Sequence, residues 1–103
     1  MSAKGYLLLE MKVSDPAAMA RYRELAEVAV RTYGGRFLIR GGAAEVLEGR
    51  WSPPERLVVI EFESVEQART YYHSPEYQAA RAARRDACEM NMLVVGGVDA
   101  SLN

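Results

Sequence analysis

Cysteine occurs once, at Cys88, so neither an internal disulfide nor a cysteine-based metal cluster can form. Histidine also occurs once, at His73, and no His, Cys or carboxylate spacing resembles a metal site. Charge of one sign is lacking too. Thirteen basic and 14 acidic residues leave a formal net charge of −1, with no basic stripe of the kind that tracks a nucleic-acid backbone. The longest apolar runs, Leu7-Leu8-Leu9 and Leu57-Val58-Val59-Ile60, fall far short of the roughly 20 residues needed to span a bilayer. Met1 to Gly5 leads into a strand-like segment without a signal-peptide pattern. These absences favour a reducing cytoplasm and argue against a nucleic-acid or membrane partner.

Half of the 103 residues are apolar, enough for one modest core. A domain of this size buries only roughly 60–65% of its unfolded surface, so self-association would add useful burial. We expect a single domain over residues 1–103, with its core at about 4–98 and a loose C-terminal tail.

Local patterns divide the chain into alternating elements. Leu7, Leu9, Met11 and Val13 recur at period two, predicting a strand from about Tyr6 to Val13 whose other face, Tyr6 and Leu8, is also partly apolar. Asp15-Pro16 is a cap followed by a first-turn proline. The stripe Met19, Tyr22, Ala26, Ala29, Tyr33 then predicts an amphipathic helix that ends at Gly34-Gly35. Arg36 to Arg40 reads as a strand with Phe37 and Ile39 on one side. Gly41-Gly42 predicts a hairpin returning as a short strand from Glu45 to Gly49. After a loop at Pro53-Pro54, Leu57 to Phe62 is apolar except at Glu61, as suits a strand covered on both faces. Ser64 and Gln67 form a capping-box pattern. The helix they open breaks near His73, restarts at Ser74-Pro75 with Tyr77, Ala80 and Arg84 on one stripe, and precedes a last strand from Met90 to Val95.

This order, β-α-β-β-α-β with a hairpin extension, is that of a ferredoxin-like α+β fold: an antiparallel sheet with helices on one face. If Val58, Ile60 and Phe62 face the helices, Leu57 and Val59 join Tyr6 and Leu8 on the open face. Such an apolar patch rarely stays in water, so we expect a homodimer through the open sheet face.

The stretches Tyr33-Gly34-Gly35-Arg36-Phe37-Leu38-Ile39-Arg40-Gly41-Gly42, Val59-Ile60-Glu61-Phe62 and Ser74-Pro75-Glu76-Tyr77 resemble the domain-of-unknown-function family 1330 of the dimeric α+β barrel superfamily. The likeness covers about residues 4–98. It implies a ferredoxin-like dimer with two sheets packed face to face. For function it implies only a superfamily that includes cofactor-independent monooxygenases, haem-degrading enzymes, isomerase-like proteins and small stress-related proteins. One position departs from the pattern: His73 stands where relatives usually carry an asparagine, so a catalytic role for it would be particular to this chain.

Candidate site residues follow from chemistry. His73 could be a general acid or base, or a polar residue in a helix–helix turn. Arg40, beside flexible glycines, could clamp the anionic group of a small organic ligand, or pair structurally with Glu45, Glu48 or Glu61. Glu61, in an apolar strand, needs a partner such as Arg40 or Arg56, or a functional role. Tyr22, Tyr33, Tyr71, Tyr72 and Tyr77 could line a pocket between helices and sheet, or be core tyrosines with their hydroxyls at the rim. Arg81, Arg84 and Arg85 read as a solvated helix end, and Cys88 as a packed thiol. Two functions fit: a small-molecule-binding or cofactor-independent enzyme-like domain, with no cofactor and no metal expected, or a non-catalytic dimeric regulatory or stress-associated module.

Overall fold

The computed structural model describes residues 3–99. Asp15 accepts a hydrogen bond from the Ala18 N–H at 3.2 Å and Pro16 takes the first helical position, so the chain turns at once from strand β1 (Gly5–Val13) into helix α1 (Pro16–Thr32). Gly34, at φ 77°, lets the chain leave α1 and enter strand β2 (Arg36–Arg40). Strand β3 (Arg56–Phe62) follows, then α2 (Val65–His73), α3 (Pro75–Ala83) and β4 (Cys88–Gly96). The sheet order is β2-β3-β1-β4, and every neighbouring pair is antiparallel. This is the ferredoxin-like fold, with β1 and β3 central. Within one chain the sheet is open and closes no barrel.

Ser74 makes the break between α2 and α3. Its buried hydroxyl donates to the Tyr71 carbonyl at 2.6 Å and accepts from the Tyr77 N–H at 3.1 Å, ending one helix and capping the next. The Ser64 cap is likewise present, accepting from the Gln67 N–H at 3.0 Å. Gln67, however, does not reach back to complete a capping box; its amide donates to the Tyr33 carbonyl at 2.9 Å and ties α2 to the end of α1.

Two expectations about the middle of the chain are corrected. No strand forms at Glu45–Gly49, and residues 41–55 carry no regular structure. The Gly41 N–H donates to the Leu57 carbonyl at 2.7 Å, so Gly41 continues the β2–β3 ladder instead of turning back on β2. Nor do Phe37 and Ile39 share a face. Phe37 pairs with Ile60, Ile39 with Val59 and Arg40 with Val58. A bulge therefore places two steps of β2 against one of β3, which sends Ile39 to the open face and brings Arg40 to the helix side.

The core lies between the helices and one sheet face. Leu7, Leu9 and Met11 of β1 and Val58, Ile60 and Phe62 of β3 are buried against Met19, Tyr22, Ala26 and Ala29 of α1 and Ala68, Tyr71, Tyr77 and Ala80 of α2 and α3. Tyr71 sits at the centre, its ring 5.0 Å from both Phe62 and Tyr77. Among the described residues no helix covers the other face, where Leu8, Leu57 and Val59 are only half-buried and Ile39, Leu93 and Val95 are exposed. The tail is described only to Asp99, so the loose end expected over 100–103 lies outside the described residues.

Ile60 is 2% exposed, and its replacement by alanine should leave a cavity costing about 2–5 kcal/mol, a large share of the roughly 5–15 kcal/mol that holds such a domain together. Urea denaturation of Ile60→Ala measures this, and a loss under about 1 kcal/mol would contradict the packing. The buried tyrosines predict a second behaviour. Burial, with Tyr77 alongside, pushes both Tyr22 and Tyr71 well above the ordinary tyrosine value of 10.0. The native state then keeps protons that the unfolded chain would release. Their stabilising effect is full below about pH 10 and declines as pH rises beyond it. In an alkaline titration, part of the tyrosinate absorbance should appear only together with loss of circular dichroism.

Candidate functional site

A cavity of about 280 Å³ lies between α1 and the inner sheet face. Its walls are apolar, built from Leu9 and Met11 of β1, Val58 and Ile60 of β3, and Met19 and Ala26 of α1. The polar groups lining it include three guanidiniums, Arg23, Arg40 and Arg56, with Glu55 as the carboxylate. Arg40 is there because of the bulge in β2. Its guanidinium lies 4.1 Å from the centre of the Phe37 ring and donates to Glu27 of α1 at 3.4 Å. Glu27 also meets Arg31 at 3.9 Å, one turn along the helix. The Arg40–Glu27 pair is about 40% exposed on both sides, so it contributes at most about 1 kcal/mol.

Arg40 thus has a structural carboxylate, but one on α1 rather than Glu45, Glu48 or Glu61. Glu61 is engaged elsewhere, on the open face. It accepts from the Tyr6 hydroxyl at 3.0 Å and from Arg36 at 3.1 Å. Register explains this, because Glu61 pairs with Tyr6 on β1 and with Arg36 on β2, forming one polar row across three strands. The Glu61 hydrogen bond in turn raises the Tyr6 hydroxyl above its ordinary value.

The tyrosines separate. Tyr77 is fully buried and shares a 3.1 Å hydrogen bond with Tyr22, whose ring meets it edge-on. Tyr33, just past α1, donates to Glu76 at 2.8 Å and is raised chiefly by that bond. Neither Tyr33 nor Tyr77 lines the cavity at Arg40, whereas Tyr22 and Tyr71 do. Tyr72 and His73 line a different recess, between α2, α3 and β4, which shares no lining residue with the first. His73 is exposed and lies edge-on to Tyr72, with ring centres 5.2 Å apart. The structure therefore does not bring Arg40, Glu61 and His73 to one place.

Some functional candidates are missing from the sequence reading. Arg23 and Arg56 at the first cavity carry no motif. Arg84 is not a simple solvated helix end: it is half-buried, with its guanidinium 5.5 Å from the centre of the Tyr22 ring. Burial opposes its charge, but the Tyr77 and Tyr22 phenols beside it outweigh that effect, leaving its value raised. The available signal was its position on the buried stripe with Tyr77 and Ala80. Cys88 packs partly buried against the core. Among the described residues, no group of three or more His, Cys, Asp or Glu is arranged to hold a metal ion, and no helix is long and apolar enough to cross a membrane.

Several solved structures share this architecture. The RPA0582 protein of unknown function from Rhodopseudomonas palustris is 16% identical, with a TM-score of 0.71 over 96% of this chain and 85% of that one. SnoaB, a cofactor-independent oxygenase from Streptomyces nogalater, is 11% identical, with a TM-score of 0.66 over 96% of this chain and 97% of that one. A dimeric protein of unknown function and ferredoxin-like fold from Bacteroides fragilis is 14% identical, with a TM-score of 0.61 over 91% and 96%. Likeness at these identities is one of fold. Among curated proteins no sequence match is found. A family model matches residues 4–98, and the chain belongs to that family, the domain of unknown function DUF1330.

Proposed function

We propose that this protein is a homodimer that binds a small organic anion in the cavity between α1 and the sheet. The observation that carries the reading is the cavity itself, apolar along its walls and flanked by Arg23, Arg40 and Arg56. Such a site suits a ligand with an aromatic or aliphatic body and a carboxylate that Arg40 can grip once it parts from Glu27. SnoaB, of the same fold, is a cofactor-independent oxygenase. Its chemistry supports an enzyme-like role only by analogy of fold, and binding is the part argued from this chain's residues. A single partly buried thiol, Cys88, is compatible with a reducing compartment such as the cytoplasm.

Calorimetric titration against a panel of aromatic and aliphatic monocarboxylates tests the proposal. A saturable ligand should emerge, and Arg40→Ala should weaken it by roughly 10- to 100-fold, the worth of a charged hydrogen bond. The same substitution should change stability by no more than about 1 kcal/mol. A panel without a binder, or binding indifferent to Arg40, would remove the reading.

The open sheet face favours a second reading, a non-catalytic module that acts through its paired sheets. Ile39, Leu93 and Val95 are 42%, 55% and 44% exposed on that face, beside Leu8, Leu57 and Val59. A second copy applying the same patch would remove them from water together. Neighbours of this fold are described as dimeric. Light scattering should give the mass of two chains for the parent protein and of one for Val59→Asp. A monomeric parent would rule out pairing through this face.

A further inference from the structure

The recess holding Tyr72 and His73 measures about 440 Å³ and lies between the α2–α3 elbow and the edge strand β4. Its floor is apolar, made by Leu7, Met90, Met92 and Val94. Among the described residues its charged lining has one sign only: Arg69 of α2, Arg81 of α3 and Arg84 at the end of α3, with His73 next to them and no carboxylate. Spacing brings these groups together. Arg69 and His73 lie four apart on α2, and Arg81 and Arg84 lie three apart, so each pair projects from one side of its helix.

Four arginines elsewhere, Arg21, Arg31, Arg36 and Arg40, each meet a glutamate; among the described residues Arg69, Arg81 and Arg84 form no ion pair, nor do Arg23, Arg50, Arg56 and Arg85, but only the first three converge on this recess. The Nε of Arg84 is also buried and has no hydrogen-bond partner. A buried donor without an acceptor costs free energy, and a bound anion would meet positive charge that no carboxylate in the described lining neutralises. Three guanidiniums over an apolar floor match a doubly charged oxyanion attached to a small apolar group.

We propose that this recess binds an organic phosphate monoester, its phosphoryl oxygens held by Arg69, Arg81 and Arg84 and its apolar part lying on Met90 and Met92 beside the Tyr72 ring. This site is separate from the cavity at Arg40 and stands whether or not that cavity binds a carboxylate.

Calorimetric titration with phenyl phosphate and with inorganic phosphate, on the full chain, tests it. Phenyl phosphate should bind saturably and more tightly than inorganic phosphate, because only the ester reaches the apolar floor. Arg69→Gln combined with Arg81→Gln should weaken phenyl phosphate at least tenfold; both side chains are exposed, so the fold should be retained, as circular dichroism will show. Arg40→Ala should leave this binding unchanged. Arg84→Gln serves as a second variant, expected to weaken binding even if it also lowers the melting temperature through its contact with Tyr22. Three results would overturn the proposal: no saturable binding of phenyl phosphate at millimolar concentration, binding that survives the Arg69/Arg81 double substitution, or binding lost in Arg40→Ala. A fourth concerns the source of the phosphoryl group. Sedimentation with vesicles of phosphatidic acid in phosphatidylcholine, without binding of soluble phenyl phosphate, would reassign the recess to a membrane surface.

Discussion

The central strands β1 and β3 pair from Gly5–Phe62 to Met11–Arg56, and both carry apolar residues on both faces. Much of the architecture answers to that constraint. On one face, Leu7, Leu9, Val58, Ile60 and Phe62 need cover, and α1, α2 and α3 supply it through Tyr22, Tyr71, Tyr77 and a set of small alanines that let the helices approach. On the other, Leu8, Leu57 and Val59 are only half-buried, with no helix over them among the described residues. A sheet of this kind is finished on one side only, and covering the second side would remove further apolar surface from water.

The same packing determines where cavities can form. Because α1 presents a residue as small as Ala26 toward the ends of β1 and β3, bulk is missing there, and the 280 Å³ cavity occupies that space. The bulge in β2 then decides its chemistry. With regular alternation, Arg40 would face away from the helices and Ile39 toward them. One extra residue in the strand exchanges these roles, placing a guanidinium against the Phe37 ring at the cavity and an isoleucine on the open face. A similar economy holds at Ser74, where one hydroxyl both closes α2 and opens α3, so the elbow that carries Tyr72 and His73 is set by a buried hydrogen-bonded pivot.

Polar partners follow register more than type. Glu61 is bound by Tyr6 and Arg36 because those residues stand opposite it on the flanking strands, not because Arg40 or Arg56 is nearer in charge or sequence. Arg40 finds Glu27 because the bulge turns it toward α1. Of the arginines without a carboxylate, Arg69, Arg81 and Arg84 share one recess because α2, α3 and β4 converge there, although nothing in their local sequence links α2 to α3 across the Ser74 break.

What the sequence determined by itself was everything carried by local periodicity and caps. Strands β1 and β3, the helix opened by Asp15-Pro16, the interruption at Ser74-Pro75, the ferredoxin-like order and the apolar open face were all readable, since spacing of two or 3.6 residues and cap chemistry act over a few neighbours. The false hairpin at Gly41-Gly42 marks the limit of such reasoning: a glycine pair permits a turn, but whether the chain turns or continues its ladder depends on the strand that lies beside it. Only the tertiary structure could show that Leu57 offers Gly41 its carbonyl, that a bulge rotates Arg40 inward, and that His73 and Arg40 line separate cavities. Those outcomes are set by contacts between residues distant in the chain, whose mutual placement exists only once the sheet and helices have packed.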